Sequence, residues 1–499
     1  MIAAGLSTAR LQAVVRLRSA AVLGGALLLA GAAGVAIGAL GVRGAAVALG
    51  AVAFLLLLLL LWRVPVALIL VPVAVALVFE QVPLGLADRL TERIPLFRSL
   101  DASAGLSGLH VSPAELVVAA ALLIWTLQGV AARRGRPGSP SALGAGLGIL
   151  AALVVVALTR GVLSGGVLNI AIDEVRPLLY VAVLYLPAAQ VMRSPSRLWA
   201  LLWVDVLATG FKGLQGTYRY LVLRNAVPAP EAILEHEEAV FFSLFILLTA
   251  GLWLFGVRGR LRWVATALLP FVVLADLANQ RRAAWIVLTA GLVLLLACAW
   301  VRCAERRRAI LGLAVASTVV AAVYLPLFWT SSSTIAQPAR ALSSAFTPSS
   351  RDQSSDLYRV VENVDLGIDI RQSSPVGLGF GRPIPHPVPL TDLSKVDPFI
   401  DYVPHNGILY VWLRTGLAGA LAFWFVIGAA TVLACRVVRA ADRRVALLGA
   451  FGLWTVVAYV LEGWFDQGLM ASRIAVVVGC VLGCLTAASR LPDAAGSAR

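Results

Sequence analysis

Residues 19–42, lying between Arg18 and Arg43, contain no charged side chain, and neither do residues 44–62 before Arg63. A helix rising about 1.5 Å per residue needs about 20 such residues to cross about 30 Å of hydrocarbon, so both stretches are long enough. The pattern recurs along the 499 residues and predicts fourteen spans: 20–42, 44–62, 65–83, 113–132, 143–160, 177–193, 197–212, 239–257, 263–280, 283–301, 309–330, 407–434, 445–464 and 470–488. Apolar types make up 60% of the chain and charged types 13%. Water-soluble proteins carry about 45–50% and 25%, so this surface needs lipid to cover it. The expected fold is all-α, a polytopic helical membrane protein of about 14 transmembrane helices with one large extracytoplasmic loop containing short helices. It divides into residues 1–330 (helices one to eleven), the loop 331–405, and 406–499 (helices twelve to fourteen).

Basic residues set the orientation. With both termini cytoplasmic, 22 of them fall on the inner side and 11 in the short outer loops, the bias that places a chain across a membrane. No small-residue cleavage site follows the first span, which is expected to act as an anchor. The net charge of +15 is almost all arginine, Lys212 and Lys395 being the only lysines. Five cysteines (Cys298, Cys303, Cys435, Cys480, Cys484) show no metal-ligand spacing and fall in the cytoplasmic halves of spans, so no outer disulfide is expected. No internal repeat of the kind found in symmetric transporters is evident.

Between Thr330 and Asn406 no stretch can span, and this outer segment is rich in Ser, Pro, Gly and Asp. Loops of such length are usually functional or disordered. Leu357, Val360, Val361 and Val364 recur at helical spacing after Ser354-Ser355-Asp356, a plausible cap, and predict an amphipathic helix on the membrane surface with Arg359 off its apolar stripe.

Three elements can carry chemistry. Asn279-Gln280-Arg281-Arg282-Ala283-Ala284-Trp285 puts two arginines at the outer mouth of the tenth span, either as snorkelling interfacial residues or as an anion clamp. Tyr358-Arg359 is followed by Gly377-Leu378-Gly379-Phe380-Gly381; with no strand before it the glycine run is read as a tight turn against the spans, not a nucleotide loop. Pro404-His405-Asn406-Gly407 precedes the twelfth span, then Arg414-Thr415-Gly416-Leu417-Ala418-Gly419. An isolated loop histidine is ordinary by default, but a helix N-terminus favours neutral imidazole, the form that accepts a proton.

In this order around one outer loop, these motifs resemble the O-antigen ligase and polymerase superfamily over about residues 235–435. The resemblance implies transfer of a glycan from an undecaprenyl-diphosphate carrier to a glycan or lipid-glycan hydroxyl acceptor, in the bacterial cytoplasmic membrane with the site outside. No cofactor, metal or nucleic acid is implied. It assigns the diphosphate to Arg282, with Arg281 beside it, and to Arg359, and activation of the acceptor to His405; Arg351, Asn406 and Glu238 are further candidates for substrate contact. The family's usual Ser-Arg-Gly is Arg281-Arg282-Ala283 here, so which arginine is essential stays open. So does the choice between ligating finished chains and polymerising repeat units.

Glu235-His236-Glu237-Glu238 reads first as a solvated acidic helix cap, then as an acceptor contact. Asp205, Asp276, Glu462 and Asp466 lie in or near spans, as functional groups or as partners of Lys212 or Arg473. Two rivals remain. A lipid-linked oligosaccharide flippase would line a central cavity with basic residues. A transferase using an acid in an early outer loop would draw on Asp88, Glu92 or Asp101.

Overall fold

A computed structural model describes residues 49–82, 84–86, 90–101, 110–131, 141–226, 230, 232–373, 375–391 and 399–491, without the side chains of Ala131 and Arg351. Residues 1–67 and 68–499 form two compact units. The first is represented by helix α1 (Leu49–Arg63). The chain continues through α2 (Ala67–Val78), α3 (Pro113–Ala131), α4 (Ala142–Leu163), α5 (Leu168–Val191), α6 (Pro195–Leu223), α7 (Glu237–Leu254), α8 (Arg260–Asn279), α9 (Arg282–Arg302) and α10 (Arg307–Phe328). The loop carries α11 (Gln337–Ser343) and α12 (Ser350–Gln372), and α13 (Gly407–Val438), α14 (Arg443–Phe465) and α15 (Ser472–Ala488) complete it. No strand occurs among the described residues.

The fold is therefore all-α and that of a multi-pass membrane protein. Thirteen of the fourteen expected spans fall on these helices; the first, 20–42, lies outside the described residues. Among the described residues, eight helices are long and apolar enough to cross a membrane (α3, α4, α7, α8, α9, α10, α13, α14). The third expected span is shorter than its apolar run suggests, because α2 has 12 residues and reaches only about 18 Å. Helices α5 and α6 are long, but Glu174, Asp205, Lys212 and Arg219 are buried within them.

Close helix approaches fix relative directions. Gly210, Gly213 and Gly216 of α6 face Leu268, Val272 and Ala275 of α8, so the two helices run parallel. Gly479 and Gly483 of α15 face Val181 and Ala188 of α5, and Gly251 and Gly291 pair α7 with α9 through Leu295 and Leu247, again in parallel. Gly146 meets Phe425, while Gly161 meets the Gly379–Phe380 turn that is hydrogen-bonded to Arg414, so α4 and α13 are antiparallel. These directions agree with the alternation of crossings read from the sequence: spans of equal parity run together. Small residues let such backbones approach, as membrane helix contacts require.

The extended loop is strapped to the spans by its glycines. Gly379 (φ +83°) has a conformation side chains rarely adopt, and a Cβ there would stand 2.6 Å from Cα of Gly161. Gly416 (φ +72°) breaks the regularity of α13, where Leu417 N–H donates to Pro375 at 2.9 Å and Gly379 N–H to Arg414 at 3.0 Å. The tight turn expected of Gly377–Gly381 is thus present. Beneath it Arg414 and Glu174, both without exposed side-chain surface, meet at 2.5 Å; Arg414 also donates to the carbonyls of Gly379, Arg382 and Tyr402, and the Tyr410 hydroxyl donates to Glu174 at 2.8 Å.

Three substitutions test this packing. Gly213→Leu, driven into Val272, is expected to cost about 1–3 kcal/mol, whereas Gly148→Leu, facing open space, should cost nothing measurable; thermal unfolding in detergent compares them. Arg414→Met, leaving Glu174 buried without its cation, is expected to lose about 3–5 kcal/mol in the same assay.

Candidate active site

Helix α12 begins earlier than the sequence pattern indicates. Ser349, not the Ser354–Asp356 run, caps it, its hydroxyl accepting the Asp352 N–H. A serine before an aspartate supplies the cap, and the helix then runs through Ser354-Ser355. The face it buries is acidic. Glu362, Asp365, Leu366 and Asp369 are buried, while Leu357, Val360 and Val364 are 62%, 59% and 50% exposed. An exposed apolar stripe above buried carboxylates is the reverse of a water-facing helix, and suits one lying against lipid.

His405 stands next to that acidic face. Its Nδ1 lies 3.2 Å from both oxygens of Glu362, and its backbone N–H donates to Glu362 at 3.0 Å. Tyr358, one turn earlier, meets the imidazole edge-on with centroids 5.8 Å apart. With Nδ1–H directed at the carboxylate, the ring's lone pair is on Nε2, which makes no hydrogen bond among the described residues; the side chain is 24% exposed. Glu362 therefore orients the ring. Asn406 is the cap of α13, its Oδ1 accepting the Leu409 N–H at 3.0 Å, and its buried Nδ2 has no partner among the described residues.

The arginines reach the same helix by different routes. Arg282, the first residue of α9, forms a two-pronged pair with Asp356 of α12 (Nη2–Oδ1 2.7 Å, Nη1–Oδ2 3.1 Å) and lies 3.8 Å from Asp352. Arg359 donates to the Phe465 carbonyl at 2.8 Å and lies 3.8 Å from Asp466 at the end of α14. Arg281 and Arg359 both act electrostatically on buried Glu462. Asp466 itself is buried, which raises a carboxyl, but the His236 ring at 3.1 Å, Arg359 and the Gln467 N–H together hold it well below the usual range. Gln467 in turn donates to the Val403 carbonyl at 3.0 Å, two residues before His405. Arg282, Arg359 and His405 thus share α12 as their common support, through Asp356, Arg359 itself and Glu362. The backbone of Arg351 belongs to the first turn of α12; its side chain lies outside the described residues.

Glu238 is elsewhere. It is fully buried, paired with Arg473 at 2.7 Å and 3.4 Å from Lys212, in a cluster with Glu235, Glu80 and Arg219. The acidic run before α7 is not a solvated cap. Only His236 of the four is well exposed, and burial with the neighbouring Glu237 pushes the Glu235 carboxyl up against the pull of Arg473. Lys212 and Arg473 therefore pair with glutamates and not with Asp205, Asp276 or Glu462, while Asp466 takes His236 and Arg359. Of the early-loop acids, Glu92 meets Arg219 at 3.3 Å and Asp101 meets His110 at 3.8 Å; Asp88 lies outside the described residues.

Sequence reasoning missed Glu362, although its place one turn beyond Tyr358 on a helix already expected was a usable signal. It also missed Asp356 as the counter-ion of Arg282.

Residues 271–425 match the family described as O-antigen ligase. The matched segment holds Arg281, Arg282, Arg359, Glu362 and His405, and it bears out the resemblance drawn from the motifs. No curated protein matches the chain.

Two measurements probe the support helix. Asp356→Ala is expected to loosen α12 by about 1 kcal/mol, read as roughly fivefold faster amide exchange along its first turns. Farther along, burial and Asp365 raise the Asp369 carboxyl from 3.8 to about 6 against the pull of His386. A raised acid favours the folded state when protonated, so its contribution is present below pH 3.8 and lost as pH rises through about 6. Asp369→Asn is expected to flatten thermal stability across that window; an unchanged profile would show that Asp369 does not titrate there.

Proposed function

We propose that this O-antigen ligase-type membrane enzyme transfers a glycan from an undecaprenyl-diphosphate carrier to a hydroxyl acceptor on the outer face of the bacterial cytoplasmic membrane. Both termini then lie in the cytoplasm, and residues 331–405 form the outer loop between helices of 1–330 and 406–499. The observation that carries this reading is the His405–Glu362 pair, built on the helix that also bears Arg359 and receives Arg282.

In this reaction Nε2 of His405 takes the proton of the acceptor hydroxyl as its oxygen attacks the anomeric carbon. The bond from that carbon to the diphosphate oxygen breaks, and the lipid diphosphate leaves with the electron pair. A single displacement of this kind inverts the anomeric centre. Glu362 holds the ring in one tautomer and stabilises the imidazolium that forms, the part a carboxylate plays beside a histidine base. The leaving group's charge falls to Arg282 and Arg359, with Arg281 nearby, as fixed guanidinium groups standing where a divalent cation could serve. The fork of Arg282 is closed on Asp356. A multiply charged diphosphate competes for that fork with a single carboxylate, so donor binding displaces Asp356. Asn406 positions the base by capping α13, and Glu238 supports the bundle without touching substrate.

Against a flippase stands the pairing of the interior cations. Lys212, Arg219 and Arg473, the cations a central passage would need, are each buried against a glutamate. Ligation and polymerisation differ only in the acceptor and share this chemistry.

The test follows lipid-linked glycan in membranes from cells expressing folded variants. His405→Ala is expected to lose about 10²–10⁴-fold in turnover, and Glu362→Gln to fall between it and the unaltered enzyme. Normal turnover by folded His405→Ala removes the base assignment. A ladder of lengthening products identifies a polymerase, and transfer to one acceptor a ligase.

A further inference from the structure

At the opposite end of α8 from Arg282, the N-termini of α6, α8 and α14 and the C-terminus of α7 surround a cavity of about 230 Å³. It is walled by Trp199, Trp203, Arg258, Arg260, Arg262 and Arg444. Twenty residues of α8 separate it from the candidate active site, about 30 Å along the helix axis. The turn that builds it is tight: Gly256 and Gly259 both have positive φ (+68° and +145°), and Gly259 sets Arg258 and Arg260 on either side of one residue.

The cations around this cavity differ from their neighbours at the same membrane face. Arg302 is spent on the carbonyls of Ala440 and Ala441, Arg306 on that of Trp253, and Arg443 on Glu305. Among the described residues none of Arg258, Arg260, Arg262 and Arg444 has a carboxylate partner. Two are held in place by aromatic faces instead. The Arg262 guanidinium lies 4.1 Å from the Trp253 ring centre and that of Arg444 5.4 Å from Trp199. Stacking fixes a guanidinium without consuming its donors, so its edge stays available to an anion. Tryptophans at this depth mark the headgroup level of a bilayer.

We infer that this cavity binds a phosphoryl anion, carried by the headgroup of an anionic phospholipid or by free phosphate. Four arginines without carboxylate partners around one cavity beside Trp199 and Trp203 make a site for planar, two-pronged recognition of phosphate oxygens, as basic pockets between membrane helices do for anionic lipid. The inference is independent of the glycan-transfer reading, since no residue of the cavity touches α12 or His405.

The experiment uses the full-length chain in neutral detergent, stripped of lipid, with binding of phosphatidylglycerol and phosphatidylcholine read by native mass spectrometry. The unaltered protein is expected to prefer phosphatidylglycerol. Arg258→Gln, Arg260→Gln and Arg444→Gln combined should weaken that binding roughly tenfold to a hundredfold. The double variant Arg436→Gln, Arg439→Gln, which removes exposed charge at the same face but outside the cavity, should bind normally. A thermal shift with millimolar inorganic phosphate separates the sources: stabilisation lost in the triple variant identifies free phosphate as a ligand, and phosphatidylglycerol retained against it identifies the lipid. Equal affinity for the two lipids without phosphate stabilisation, or equal loss in the double and triple variants, overturns the site.

Discussion

A charge buried away from water must meet its opposite, and in this protein that constraint joins segments that are far apart in the chain. Arg414 and Glu174 lie 2.5 Å apart with no exposed side-chain surface, and through them the glycine loop is bound to α5 and α13. Arg473 draws Glu235 and Glu238 to α15. Glu362 is buried with the imidazole of His405 against it. Removing one member of such a pair leaves a desolvated charge, a far larger penalty than the pair's net contribution to stability. The pairs therefore specify arrangement more than they stabilise it. The loop helix can occupy one position, and His405 is set by that position.

The same constraint explains the polarity of α12. Its buried carboxylates face inward, where Glu362 accepts from His405 and Asp365 from the Val388 N–H, while Asp356, nearer the surface, meets Arg282. Its leucine and valines are left facing outward, where in water they would be a liability. Against a bilayer they become an anchor. A helix with acids in and apolar groups out can rest on lipid while its inner face holds His405.

The arginines divide by what they touch, not by number. Those along α6 and α15 are consumed within the bundle, Arg282 and Arg359 are held at the edge of the loop, and those beside Trp199 and Trp203 keep their donors. Composition alone, with nearly all its positive charge as arginine, does not distinguish these uses. Geometry does, because a guanidinium closed on a carboxylate and one stacked on an indole present different edges to a ligand.

Length and periodicity determined much here. Apolar runs free of charge can do little in water, so an all-helical membrane fold followed directly, and thirteen expected spans lie on helices, although α5 begins nine residues before its expected span and α6 runs eleven beyond its own. The motif order from Arg281 to Gly419 also sufficed to indicate the family, because it lies along a single stretch of chain that the family match covers. Which acid serves which base was decided only by the tertiary structure. Glu362 and Asp356 look like ordinary surface residues of an amphipathic helix until α12 is docked, and Glu238 looks like a solvated cap until Arg473, 235 positions later, arrives beside it. Pairing across such separations depends on which helix faces are pressed together, and local pattern carries no information about that.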